Sequence, residues 1–241
     1  MIYILLPAFN EEKNLIKIFK KIEKLAIVRK NIRVVLIDDF SSDNTKKIAK
    51  KKYSFKLYYL RHSKNKGLSV TMESGFKKII KLANSNDLIV TLDSDNTHPI
   101  SIIDKMIKEI EKSSDIVIAS RFQSGSIVNG VSMWRHFLSA SAKFFFKILY
   151  PFKNLNDYTC NFRVYKSYLI RELLKNKNFF KNEDFNIAGK IIIFLTSKFK
   201  DLKLSEIPFK LSYNSKIGVS KMNLTRTILL TIDLMIKGPG K

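Results

Sequence analysis

The chain has 241 residues, room for one large domain or two small ones. Hydrophobic residues make up 45%, which excludes a disordered chain and allows a sizeable core. Lys and Arg number 44 against 21 Asp and Glu, a net charge of +23, so an anionic partner such as a phosphorylated ligand, a nucleic acid or an acidic membrane face is favoured. The bases are mostly lysine and sit among many Asn and Ile, so a biased coding composition is a second source of the excess.

Residues 2–6 form a short apolar run that predicts a strand. A helix follows over 11–26, where Leu15, Ile18, Phe19, Ile22 and Ala26 recur at helical spacing. Residues 33–37 are apolar and β-branched, and they close on Asp38 and Asp39. A short helix is predicted over 43–52 and a third strand over 57–60. Gly67 opens a helix with Met72, Phe76, Ile79, Ile80 and Ala83 on its core face. A fourth strand over 88–92 runs into Asp93, Ser94 and Asp95. A helix over 99–111 has a proline at its start and Ile103, Met106, Ile107 and Ile110 on one face. A fifth strand spans 115–119.

The second half is less regular. Residues 134–150 predict an amphipathic helix that stops before Pro151, with Trp134, Phe137, Leu138, Phe144, Phe145, Ile148 and Leu149 interleaved with Arg135, Lys143 and Lys147. Residues 161–165 and 204–209 read as strands, 214–222 as a polar loop, and 224–236 as an apolar segment with few charges. Cys160 is the single cysteine, so an internal disulfide is excluded, and it reads as a small buried apolar residue. Met1 leads straight into a strand, which predicts no signal peptide, and no apolar run reaches about 18 residues, the length a membrane-spanning helix needs.

Alternating strands and helices predict an α/β fold with a mostly parallel central sheet and helices on both faces. In such sheets ligands sit beyond the carboxyl ends of the strands. The polar clusters obey that rule: 7–11, 38–43, 93–98 and Arg121 each lie at or just after a strand end, so all four converge on one rim. Two carboxylates placed there as Asp93 and Asp95 suit Mg2+ or Mn2+, which take oxygen ligands and are often held by one or two carboxylates plus substrate phosphates. For an isolated acidic pair the simpler reading is a solvated turn that caps the next helix; the other rim clusters favour the metal.

The segments PAFNEE (7–12), DDFSSDNT (38–45), NKGLSVTMESGF (65–76), LDSDNTHP (92–99) and SRF (120–122) resemble, in the same order, the motifs of family 2 glycosyltransferases with the GT-A fold. WRHFLSASAKFF (134–145), NFRVY (161–165), EIPF (206–209) and GVSKM (218–222) are similar to those of the polyprenyl-phosphate glycosyltransferases, the group that includes dolichol-phosphate mannosyltransferases. The resemblance implies an inverting enzyme that moves a sugar from a GDP- or UDP-sugar to a dolichyl or undecaprenyl phosphate. It implies that Pro7, Ala8, Asn10 and Glu11 hold the nucleotide, joined by Asp38 or Asp39, Gly67 and Ser94. Asp93 and Asp95 then bind Mg2+ or Mn2+, and Arg121, Arg135, Ser139 and Lys221 bind the acceptor phosphate. Asp93, Asp95, Arg121 and Arg135 would carry the chemistry. The family often has a metal-binding Gln two places after the second Asp; Thr97 stands here, which leaves the third protein ligand open.

An ionised lipid phosphate needs no general base, whereas a glycan hydroxyl would need one. Glu183 and Asp184 are the candidates for that alternative, and a solvated pair capping a helix is the plainer reading. For Arg121 and Arg135 the plainer reading is a structural ion pair, but both sit at motif positions, which favours function. His98 reads as packing at a helix entry rather than as a ligand. Arg163 either braces the core or touches ligand. The aromatics and bases of 134–150 fit either a membrane surface or a core-facing helix. The expected division is a catalytic domain over 1–223 and a C-terminal amphipathic, membrane-interfacial segment over 224–241. The expected place is the cytoplasmic face of a membrane, reached alone or through a membrane-anchoring partner, and the sequence holds no nucleic-acid-binding motif.

Overall fold

The computed structural model describes residues 1–181, 183–218 and 222–239. Seven strands form one sheet: β1 (Ile2–Ala8), β2 (Ile32–Asp38), β3 (Lys56–Arg61), β4 (Leu88–Thr91), β5 (Ile116–Ser120), β7 (Arg163–Lys166) and β8 (Leu204–Pro208). Their order is β3-β2-β1-β4-β7-β5-β8. All pairs are parallel except those of β7, which runs antiparallel to both β4 and β5. The four strands β1, β2, β4 and β5 are apolar and almost wholly buried, as expected of parallel strands covered on both faces. A small parallel pair, β6 (Ile127–Asn129) with β9 (Lys210–Ser212), stands apart.

The helices are α1 (Glu12–Val28), α2 (Thr45–Ala49), α3 (Leu68–Ile80), α4 (Ile103–Lys112), α5 (Met133–Leu149), α6 (Ser167–Leu173), α7 (Ile187–Lys198) and α8 (Leu224–Lys237). From β1 the chain winds outward to β2 and β3, then returns through α3 to β4 on the other side of β1. Right-handed crossovers in opposite directions place α1 and α3 on opposite faces. Accordingly α1 packs on α2 and on the 3-10 turn Ile100–Ile102 that precedes α4, while α3 packs on α6, and α6 on α7. The approach of α3 is close: a Cβ at Gly75 would lie 2.1 Å from Leu5 Cδ1.

The strand order reverses between β1 and β4. That switch point opens a crevice at their carboxyl ends, between residues 7–11 and 93–98. The β6–β9 pair folds the far end of the chain back over it, since Ser212 N donates to the Thr97 carbonyl at 3.3 Å. Helices α5 and α8 lie against each other. Phe146 of α5 is fully buried against Tyr158, and the Tyr150 hydroxyl donates to the Leu234 and Met235 carbonyls at 3.2 and 3.1 Å. Among the described residues no helix is long and apolar enough to cross a membrane.

Candidate active site

The rim is assembled from loops that hold one another. After β1, Asn10 takes a left-handed backbone (φ 53°) and its Oδ1 accepts from Ser42 N at 2.7 Å, while its own N donates to Ser41 Oγ at 2.9 Å. Glu11 N donates to Thr45 Oγ1, and Asp39 N to the Ala8 carbonyl, next to Pro7. The two acids after β2 brace this corner. Asp38, fully buried, accepts from Ser41 N at 2.7 Å and from the Tyr59 hydroxyl at 2.6 Å, with Arg61 Nε at 3.7 Å. Burial and the Asp38 hydrogen bond push the Tyr59 phenol well up. Asp39 accepts from Lys66 N and Gly67 N, at 2.9 and 2.8 Å, and pairs with His62 Nδ1 at 2.7 Å. Gly67 needs its freedom: φ is +82°, and the space in front of it is open for 4 Å. The site residues 7–11, 38, 39 and 67 therefore share one wall of the crevice.

Asp93 and Asp95 form the floor. Asp93 Oδ1 accepts from Asn161 Nδ2 at 3.2 Å; among the described residues its Oδ2 accepts nothing. Asp95 Oδ1 accepts from Thr97 N and Oγ1, at 3.2 and 2.7 Å, and Asp95 Oδ2 pairs with Lys216 Nζ at 2.9 Å. Burial drives the Asp93 carboxyl above the usual range, helped by the Asp95 charge and opposed by His98 and Lys216. Burial also works against Asp95, but His98 and Lys216 outweigh it and hold that carboxyl below its usual range. Ser94 is buried, and its Oγ has no hydrogen-bond partner among the described residues. His98 packs between Phe162 and Phe209 and accepts from Asp93 N through Nδ1 at 3.3 Å.

Two crowded acids, one oxygen open and another closed by a single ammonium, call for positive charge, and oxygen donors suit a hard divalent cation. Thr97 is occupied in holding Asp95. Among the described residues no three of His, Cys, Asp and Glu cluster for a metal; the side chains that could hold one here are the two carboxylates.

The basic side lies across from them. Arg121 forms a forked pair with the fully buried Asp157, through Nε at 2.8 Å and Nη2 at 2.6 Å, and Nη2 also reaches Thr159 Oγ1 at 2.5 Å. Burial raises the Asp157 carboxyl less than Arg121 lowers it, so it stays below the usual range. Only Nη1 of Arg121 is turned elsewhere, to Ser139 Oγ of α5 at 3.5 Å. Arg135, also on α5, has no ion pair among the described residues. The Tyr213 phenol is raised by burial and by the charges of Asp93 and Asp95, and lowered by those of Arg121 and Arg135. Lys221 lies outside the described residues.

Asn161, Lys216, Asp157 and Tyr213 were not singled out by sequence reasoning. Asn161 falls in the NFRVY motif, which was its only signal; the others carry none. Glu183 is committed elsewhere: Lys190 pairs with it at 2.6 Å and Asn186 donates to it. Asp184 faces Arg226 at 3.9 Å, and burial raises its carboxyl. Arg163 is buried without exposure and donates to the Ala188 and Tyr158 carbonyls, both at 2.6 Å, so it braces the core.

A mostly parallel sheet whose strand order reverses between β1 and β4, with an acidic pair just after β4, is the GT-A architecture of the glycosyltransferases. It superposes on glucosyl-3-phosphoglycerate synthase from Mycobacterium tuberculosis, solved with Mn2+ and UDP-glucose, with a TM-score of 0.65 over 98% of this chain and 78% of that one, at 13% identity. Residues 3–174 match the profile of glycosyl transferase family 2, and the chain belongs to that family. It is 30% identical over 223 residues to the dolichol-phosphate mannosyltransferase of Pyrococcus furiosus, covering 91% of this chain but only 58% of that protein. It is 21% identical over 223 residues to the polyprenol monophosphomannose synthase of Mycolicibacterium smegmatis, covering 91% of this chain and 80% of that one.

Proposed function

We propose that the chain transfers a sugar, with inversion, from a GDP- or UDP-sugar to a polyprenyl phosphate of the dolichyl or undecaprenyl class. The observation that carries this is the placement of two charged sets just beyond the carboxyl ends of two parallel strands of the sheet: Asp93 and Asp95 after β4, with Asp93 held by Asn161, and Arg121 after β5, with Nη1 on Ser139 of α5. Similarity to a dolichol-phosphate mannosyltransferase and a polyprenol monophosphomannose synthase supports the acceptor.

Asp93 and Asp95 would hold Mg2+ or Mn2+, which when bound supplies charge stabilisation to a departing diphosphate. Pro7, Ala8, Asn10, Glu11, Asp38, Asp39, Gly67 and Ser94 line the nucleotide side. Asn161 orients Asp93. Arg121, Arg135, Ser139 and Lys221 take the acceptor phosphate. A lipid phosphate is already ionised at neutral pH, so no side chain need remove a proton. The task is to hold one anion in line with another, and fixed cations do this at little reorganisation. Asp157 fixes the plane of Arg121 and so brings Nη1 to the Ser139 hydroxyl.

The acceptor also explains the outer face of α5. Trp134, Phe137, Phe144, Phe145, Ile148 and Leu149 are all exposed, and α8 beside it exposes Leu229, Ile232 and Ile236. Apolar rings alongside Arg135, Lys143 and Lys147 suit the interface of an anionic membrane. In this reading 1–223 is the catalytic domain, 224–241 lies along the cytoplasmic membrane face, and α5 links that surface to Arg135 and Ser139.

The test is nucleotide release from a panel of GDP- and UDP-sugars, with Mn2+ or Mg2+, with and without undecaprenyl phosphate in detergent. Lipid-dependent release is expected, lost in Asp93→Ala and kept in Asp184→Asn. Release that needs a glycan acceptor and Asp184 would sink the lipid assignment while leaving the donor side intact.

A further inference from the structure

The ion pair between Lys216 and Asp95 is not accounted for by the acidic pair's own role. Lys216 Nζ sits 2.9 Å from Asp95 Oδ2, and both side chains are 14% exposed. The other oxygen of Asp95 is taken by Thr97. A divalent cation that binds Asp95 must therefore use the oxygen Lys216 holds. A cation on that oxygen and the Lys216 ammonium repel each other across it, so each weakens the hold of the other.

The backbone under Lys216 is built to stay. Ile217 N donates to Asn14 Oδ1 at 3.1 Å, and Asn14 Nδ2 returns a bond to the Ile217 carbonyl at 3.0 Å. Asn96 Nδ2 holds the Ser215 carbonyl at 3.1 Å, and Asn96 is itself fixed by Lys21 Nζ at 2.7 Å. Asn96 takes a left-handed backbone, φ 64°. Only the four-carbon stem of Lys216 is free to swing, with its anchor still over the crevice.

We infer that Lys216 is a resident counter-ion of the acidic pair that exchanges its partner when donor binds, leaving Asp95 to the metal and passing to the diphosphate of the nucleotide. The inference rests on the donor reading above and adds a residue to it. No bond is made or broken in the exchange; one ion pair replaces another. Its consequence is a linkage. Without nucleotide, Lys216 competes with the metal. With nucleotide, Lys216 gains an anion of its own, so the metal and the nucleotide bind better together than apart.

The test reads metal binding and not turnover. Mn2+ would be titrated into wild type, Lys216→Met and Lys216→Arg, alone and with UDP or GDP, and free Mn2+ followed by its electron-spin-resonance signal. Without nucleotide, Lys216→Met is expected to bind Mn2+ about tenfold more tightly than wild type, because one competing charge has gone. The gain in Mn2+ affinity on adding nucleotide should shrink by a similar factor, and Lys216→Arg should behave like wild type. Equal Mn2+ affinity of Lys216→Met and wild type without nucleotide, in samples of equal melting temperature, would overturn the inference. Asp95→Asn separates the two readings. Mn2+ binding unchanged in that variant would overturn the metal site itself, and the role of Lys216 with it.

Discussion

Asp157 shows how much of the site depends on a residue that touches no proposed substrate. It is fully buried, and Arg121 is its only cationic partner among the described residues. Replacing it by Asn leaves a guanidinium without a counter-charge in a buried place, which costs about 3–5 kcal/mol. The pH dependence has a defined sign. The Asp157 carboxyl is held low in the folded protein, so its contribution is fully present above the unfolded value of about 3.9 and is lost as pH falls through the folded value. Urea titrations should therefore show Asp157→Asn to be less stable at pH 7, with a shallower loss of stability below about pH 4 than wild type. Parallel acid limbs in the two proteins would mean that the pair contributes nothing to folding. Three residues away, Cys160 makes the opposite case. It is 5% exposed, and burial together with the Asp157 charge pushes its thiol up to about 12. At pH 8 the native thiol should be inert to an aromatic disulfide reagent and become reactive only in urea. Rapid labelling of native protein would show that this core opens locally.

At the scale of elements, β1, β2, β4 and β5 were legible because a strand buried on both faces reads as a plain apolar run closed by polar residues, and the edge strand β3 by its short apolar and aromatic run. The rim was legible for the same reason, since its acids close those runs. Direction was not: residues 163–166 pair as β7 antiparallel to both neighbours, and nothing in their alternation encodes it. The helix α7 was missed because it is buried nearly all round and so lacks a polar face to set a period. The helix predicted over 43–52 shrinks to Thr45–Ala49 because the Asp43 carboxylate accepts from Thr45 N and from Glu12 N, fixing the loop before it. The supports of the site, Asp157 for Arg121, Asn161 for Asp93 and Lys216 for Asp95, act across 36, 68 and 121 residues, where no local pattern reaches. Helix α5 was legible as amphipathic, but the direction of its apolar face was not. The structure turns Phe146 inward and leaves Trp134, Phe144 and Ile148 out at 61, 61 and 59% exposure. Trp134 is the one tryptophan of the chain, so its emission reports that face alone. Anionic vesicles should shift it to the blue, and Phe144→Glu with Ile148→Glu should abolish the shift without lowering the melting temperature, since both side chains already face water. An unshifted emission in wild type would remove the membrane reading of α5.

At the scale of the whole molecule, the net charge of +23 and the apolar face of α5 and α8 call for one surface that satisfies both. Each basic residue near an anionic leaflet contributes about 1 kcal/mol, and that contribution decays within a Debye length of about 10 Å at 0.1 M salt. Apolar insertion is not screened. The two terms therefore separate in a salt series. Binding to vesicles of mixed anionic and neutral lipid should weaken steeply as salt rises from about 0.05 M to about 0.5 M, then level off at a residual affinity set by the exposed rings. Vesicles of neutral lipid alone should show that residual affinity at every salt concentration. The double Glu variant of α5 should lose the plateau while keeping the slope, because the bases remain. Binding that ignores salt would show that the charge excess does not steer the chain to a membrane and reflects coding composition instead. A steep slope with no plateau would place the attraction in the charges alone, and the exposed rings of α5 would then need a protein partner rather than a lipid.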